Sequence, residues 1–108
     1  MPINKNALLR YQILDRCFSD HHRRYEIEDL VDKVNEALLD MYGKTVSLRQ
    51  IRADITYMRD RVSYNAPIVA RPIEGRRCYY TYEDPRFSIF SNELSVEEVN
   101  DTNRFELE

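Results

Sequence analysis

Hydrophobic positions along this chain recur first at helical spacing and then at strand spacing, and the pattern divides it into three amphipathic helices and a β-hairpin. Residues 4–18 place Ala7, Leu8, Tyr11, Leu14, Cys17 and Phe18 on one helical face. Asn4 or Asn6 suits its start, and the polar run Ser19, Asp20, His21, His22, Arg23, Arg24 ends it. A second face, formed by Ile27, Leu30, Val31, Val34, Leu38 and Leu39, spans residues 26–41. Glu26, Glu28 and Asp29 stand at its beginning, where the helix dipole favours acid. Gly43 supplies the left-handed residue that typically closes such a helix. Ser47 followed by Gln50 is a capping-box pattern, which starts a third helix over 47–63 with the stripe Leu48, Ile51, Ile55, Met58 and Val62.

Asn65, Ala66 and Pro67 break that helix. Ile68 to Ile73 is β-branched, Glu74, Gly75 and Arg76 form a turn, and Arg77 to Tyr82 alternates as a second strand. Pro72 has no N–H to donate, so its strand is expected at an edge or only partly paired. Two strands alone are marginal in water, so the hairpin must pack on the helices. The expected fold is mainly α with a small β-hairpin: a winged helix-turn-helix of three helices plus a wing at 68–82, filling residues 1–83.

The third helix carries Arg49, Arg52, Arg59 and Arg61, and none has an acidic residue three or four positions away. Lys33, by contrast, has Asp29 and Glu36 at those spacings, and Arg16 has Asp20. The arginine charge is therefore available to something outside the helix. On a helical wheel Arg49, Gln50, Ala53, Thr56, Tyr57 and Asp60 face outward, with Arg52 and Arg59 on one flank. Arginine and glutamine make paired hydrogen bonds to guanine and adenine edges in the major groove, which assigns Arg49 and Gln50 as base readers. Thr56 and Tyr57 suit phosphate or thymine-methyl contact, and Arg52 and Arg59 suit phosphates. Ala53 permits close approach of the backbone to the groove. Arg71, Arg76 and Arg77 on the wing would reach the backbone or the minor groove.

Plainer readings stand beside these. Exposed arginines are usually a solvated face. Arg61 lies toward the far side of the helix, solvated or paired within the fold. Asp54, at the margin of the apolar stripe, suits a structural role holding an arginine from elsewhere. Tyr80 and Tyr82 are expected to pack under the wing rather than stack on bases.

The net charge of −3 averages two unlike regions. Residues 1–82 hold fourteen Lys and Arg against eleven Asp and Glu, whereas 83–108 hold two against eight. Within 45–82 the count is seven basic to three acidic, so the surplus falls on the third helix and hairpin. A surplus of this size supports micromolar or weaker contact by one copy, to which a homodimer of the full-length protein would add a second.

The composition, 43% hydrophobic and 32% charged, is that of an ordinary globular protein. No apolar run spans a bilayer and the amino terminus has no signal-peptide layout, so no membrane partner and a cytoplasmic location are expected. Cys17 and Cys78 read as reduced thiols. Cys17, His21 and His22 lie close together, but a zinc site needs about four ligands and no second cluster is available. Two glycines, Gly43 and Gly75, build neither a dinucleotide fingerprint nor a phosphate loop. No nucleophile motif is present, so neither an enzyme, a catalytic residue, a metal nor a cofactor is expected. After Asp84 and Pro85, the stretch Phe87 to Phe90 is expected to add a strand or lie over the core. Ser95 and Glu98 make a further capping box, and residues 84–108 are read as a linker and the start of a following domain.

The chain resembles the amino-terminal winged-helix domain of the WYL-domain transcriptional regulators of bacteria. The resemblance is carried by Ser47, Leu48, Arg49, Gln50, Ile51, Arg52, Ala53, Asp54 and Ile55, by Tyr64 to Ile68, by Tyr79 and Tyr80 at the end of the wing, and by Leu94 to Glu98. Ala53 departs from it where an arginine often precedes the aspartate, and Cys78 where glycine often precedes the aromatic pair. The resemblance implies double-stranded DNA as partner and an effector ligand for a carboxy-terminal WYL domain that this chain lacks. The alternative, from another class, is a winged-helix adaptor that binds protein through its third helix or tyrosine-rich wing. A third is RNA or single-strand binding through the wing tyrosines.

Overall fold

A computed structural model describes residues 5–89. It consists of α1 (Lys5–Ser19), α2 (Ile27–Tyr42), α3 (Leu48–Arg59), β1 (Ile68–Glu74) and β2 (Arg77–Tyr82). Three helices with a two-stranded antiparallel hairpin form the winged helix architecture expected from the pattern.

The helices meet around Leu14 and Phe18 of α1, Leu30, Val34 and Leu38 of α2, and Ile51, Ile55 and Met58 of α3, all buried. The start of α2 is fastened by Asp29, whose carboxylate accepts from the Glu26 backbone N–H at 2.9 Å, satisfying a donor the helix leaves unpaired. Gly43 ends α2 at φ 66°, its N–H donating to the Leu39 carbonyl. Asn35 then spans the turn to α3: its amide donates to the Val46 carbonyl and accepts from the Val46 N–H, at 3.0 and 2.8 Å. Such a pair replaces the backbone partners that the turn residues lose.

Helix α3 is shorter than its expected span. It stops at Arg59, and Val62, counted into the apolar stripe, is 92% exposed. Asp60 causes the early stop. Its carboxylate accepts from the Val62 N–H and its carbonyl from the N–H groups of Ser63 and Asn65, a local network that competes with helical bonding. The Ser47 cap holds, with its hydroxyl accepting from the Gln50 N–H at 3.2 Å. The other half of the expected box does not form, since the Gln50 side chain turns to Asp54.

In the hairpin Ile68 pairs with Tyr82, Arg71 with Tyr79 and Pro72 with Cys78, and the register then slips before Glu74 meets Arg77. The slip follows Pro72, which brings no N–H to the ladder. Gly75, at φ 60°, makes the turn. Tyr25, just before α2, extends the sheet: its carbonyl accepts from the Tyr80 N–H at 2.9 Å, forming a bridge on the free edge of β2. The hairpin is anchored on α1 by two hydroxyls. Thr81 donates to the Phe18 carbonyl, and Tyr82 donates to the buried carboxylate of Asp15 at 2.6 Å. Tyr82 is fully buried and Tyr80 packs against the core, as expected for both. Ile89 is buried and Phe87 rests edge-on against Tyr82, so residues 87–89, the described part of this stretch, lie over the core rather than in a strand. The capping box at Ser95 and Glu98 lies outside the described residues.

Cys17 and Cys78 are free thiols, and burial pushes Cys17 up to about 11. No helix among the described residues is long and apolar enough to cross a membrane.

A β-carbon at Gly43 would meet no neighbour, so substitution there tests backbone conformation alone. Gly43→Val should lower stability by about 1–2 kcal/mol, and Gly43→Asn, which tolerates the left-handed region, by less. Equal thermal unfolding of the two variants and the parent would show that this turn does not need positive φ.

Candidate nucleic-acid interface

The outer face of α3 follows from what the inner face must bury. Ile51, Ile55 and Met58 point into the core, which leaves Arg49, Arg52, Ala53 and Thr56 exposed at helical spacing. Neither Arg49 nor Arg52 takes part in the ion pairs of the described residues. Thr56 is exposed and donates to the Arg52 carbonyl at 3.2 Å, which leaves its oxygen able to accept.

The inner margin of the same helix carries Asp54, only 2% exposed. Arg10 of α1 meets it with two nearly parallel bonds, Nε at 2.6 Å and Nη2 at 3.1 Å, and the Gln50 amide donates to it at 2.9 Å. This is the structural role expected for Asp54, with Arg10 as its arginine. Gln50 therefore has one donor already committed, and it is half-buried rather than freely outward.

Beside this pair stand three tyrosines. Tyr57 of α3 stacks on Tyr11 of α1 with ring centroids 5.3 Å apart and planes 17° from parallel, and Tyr64 meets both edge-on. Tyr57 is 40% exposed at the rim of this cluster. The Tyr11 hydroxyl is pushed above its ordinary value by burial and, next, by the Asp54 charge.

Two arginines read as outward-facing have partners in the fold. Arg59 donates through Nε to the Ile68 carbonyl at 3.1 Å, strapping the end of α3 to the first residue of β1. Arg77 pairs with Glu26 through both carboxylate oxygens, with Nε 3.1 Å from Oε1. The pair holds the Glu26 carboxyl below its ordinary range. Arg71 and Arg76 are exposed on the wing, and Arg61 is exposed beyond the end of α3. The spacings offered to Lys33 and Arg16 within their helices are not used as ion pairs: the pairs among the described residues are Arg10 with Asp54 and Arg77 with Glu26. Arg10 is not singled out by the sequence, and Glu26 stands out there only as an acid at the start of α2. For Arg10 the available signal was an aspartate on an apolar stripe, which requires a cation from another element.

A capped third helix with a cationic outer face, packed on two helices and flanked by a hairpin, defines a winged helix domain. Residues 6–83 match the family model of the N-terminal winged helix domain of WYL domain-containing proteins, and the chain belongs to that family. Domains of this class are typically non-enzymatic DNA-binding modules. Neither a curated protein nor a solved structure matches the chain.

Removing one partner of a buried pair strands the other charge. Arg10→Met should cost about 3–5 kcal/mol in chemical denaturation, and the double change Arg10→Met with Asp54→Leu should recover much of that loss. A cost below about 1 kcal/mol for the single variant would mean that solvent screens the pair.

Proposed function

We propose that this domain binds double-stranded DNA sequence-specifically as the DNA-binding part of a bacterial transcriptional regulator, with α3 in the major groove and the hairpin as its wing. The observation that carries the reading is the outer face of α3: Arg49, Arg52, Ala53 and Thr56 in one exposed row, with no ion-pair partner for either arginine among the described residues. Family membership supports it.

The residues divide by what the fold leaves them. Arg49, the second residue of α3, reads a base edge with its guanidinium fork. Gln50 keeps its amide oxygen and one N–H, the pair an adenine edge requires, while the bond to Asp54 fixes its side-chain orientation. Arg52, Thr56 and Tyr57 serve phosphates. Arg59 serves them with the guanidinium N–H groups left after its bond to Ile68. Arg71 and Arg76 contact the duplex from the wing, and Arg77 joins them at the expense of its pair with Glu26. A homodimer of the full protein would add a second half-site, and an effector would act through a WYL domain, in the bacterial cytoplasm. The adaptor reading is weaker because Tyr80 and Tyr82 are turned into the fold, which removes most aromatic surface from the wing.

Titration against a random duplex pool at low and moderate salt, with sequencing of the retained fraction, tests the proposal. The expected outcome is an enriched motif whose binding falls steeply with salt, about 0.9 log–log slope unit per phosphate contact. Arg49→Ala should relax one base position by about 1–3 kcal/mol, while Arg76→Ala weakens binding to all sequences alike. Retention without enrichment at any salt, or indifference to both substitutions, would end the assignment of helix and wing.

A further inference from the structure

The bridge between Tyr25 and Tyr80 has a chemical result on the other side of the sheet. Because alternate residues of a strand face opposite ways, the neighbour Arg24 comes to lie beside Tyr79, with its guanidinium 5.3 Å from the ring centroid. Across the hairpin Tyr79 is paired with Arg71. A row Arg24, Tyr79, Arg71 thus crosses the outer face of the sheet, opposite the face that carries Tyr80 and Tyr82 into the core.

The turn between α1 and α2 overhangs this row and forms with it a cleft of about 560 Å³. The turn brings His21, His22 and Arg23 to the cleft, so three arginines and two histidines line it against one carboxylate, Glu83. None of the three arginines is in an ion pair among the described residues. At the far end of the same sheet face Arg77 is neutralised by Glu26, and in the groove between α1 and α2 Arg16 and Lys33 are offset by Asp20, Glu36 and Asp40. Arg23 and Arg24 also border the neighbouring groove that holds Asp29 and Asp32, without an ion pair to either, so this cleft keeps an excess of positive charge. The turn is also fastened in place. Thr81 spends its only proton on the Phe18 carbonyl, so at 3.3 Å from His21 Nδ1 its oxygen acts as acceptor and Nδ1 carries the hydrogen.

We propose that this cleft grips the phosphodiester backbone of duplex DNA outside the segment read by α3, through Arg23 and Arg24 of the α1–α2 turn together with Arg71. The inference rests on the DNA-binding reading given above and extends its footprint. A backbone is favoured over a free phosphate compound by the form of the site. Arg23, Arg24, Arg71, His21 and His22 are all exposed. Long, solvated cations without an enclosing shell track a line of repeated charges better than they hold one small anion.

The experiment compares the parent with Arg23→Ala/Arg24→Ala on two duplexes, one trimmed to the enriched motif and one carrying about ten further base pairs on each side. On the long duplex the double variant should lose about tenfold in affinity at moderate salt, and its salt slope should fall by about two units. The enriched motif should stay the same, the short duplex should show a smaller loss, and Arg24→Lys should retain most of the binding. Thermal unfolding confirms that each variant is folded, and Arg24→Ala alone serves if the double variant is not. A folded variant with unchanged slope and affinity would overturn the proposal while leaving the reading helix intact, since Arg49→Ala reports on that separately. Saturable sub-millimolar binding of inorganic phosphate or pyrophosphate at His21 and Tyr79, with no effect of the variants on duplex, would also overturn it in favour of a free-anion site. Failure of the parent to bind any duplex at low salt would remove both readings.

Discussion

A carboxylate on the inner side of a helix is costly unless it is met at once by a cation, and Asp54 is met by Arg10 with two bonds and by Gln50 with a third. The geometry of a forked donor on a planar acceptor allows little rotation. It therefore fixes the roll of α3 about its own axis, which the apolar residues Ile51, Ile55 and Met58 alone set less sharply, because a hydrophobic contact has no direction. Each residue of an α-helix turns about 100° from the last, so a roll of that order would bring the neighbours of Arg49 and Arg52 to the outer face in their place, and smaller rolls would aim both arginines away from it. The ion pair between α1 and α3 thus acts less as a source of stability than as the element that decides which side chains are presented.

The wing depends on the same first helix. Thr81 and Tyr82 reach the Phe18 carbonyl and the Asp15 carboxylate, the Arg59 side chain ties α3 to Ile68, and Tyr25 pairs with Tyr80. A two-stranded hairpin that would be marginal by itself is held at its base from three directions. Its tip, with Gly75 and Arg76, projects from a fixed root.

The helices, the hairpin and the left-handed Gly43 were legible in the sequence because each is set by local spacing: a period of 3.6 or 2, a cap, a residue that tolerates positive φ. The structural place of Asp54 was legible for the same reason, since an acid within an apolar stripe announces a partner. What spacing does not reveal is who the partner is. Arg77 looked free because Glu26 is 51 positions away, and Arg59 because its acceptor is a backbone carbonyl nine positions on. Gln50 had a visible neighbour at the right spacing in Asp54 but was assigned to the capping box instead. The run from His21 to Arg24 reads in the sequence as a helix terminator, with its histidines too few for a zinc site, and its approach to Tyr79 is hidden because it depends on a single bridge between residues 25 and 80. Val62 was misplaced through counting hydrophobic periodicity past Asp60, whose side chain offers the backbone an alternative to the helix.

Asp15 has another set of bonds besides the one to Tyr82. Its carboxylate also accepts from the Ser88 hydroxyl and the Ile89 N–H, both at 3.0 Å. The polar bonds thereby pin the chain to the C-terminal half of α1, beside the contact of Phe87 with Tyr82 at the root of the wing. Mechanically this makes α1 the lever arm of the domain. A pull or twist applied to the chain at residue 89 is delivered first to the helix that bears Arg10, and through it to the roll of α3, so that the tilt of the outer face of α3 and the path of the chain are geared together across one buried carboxylate at each end.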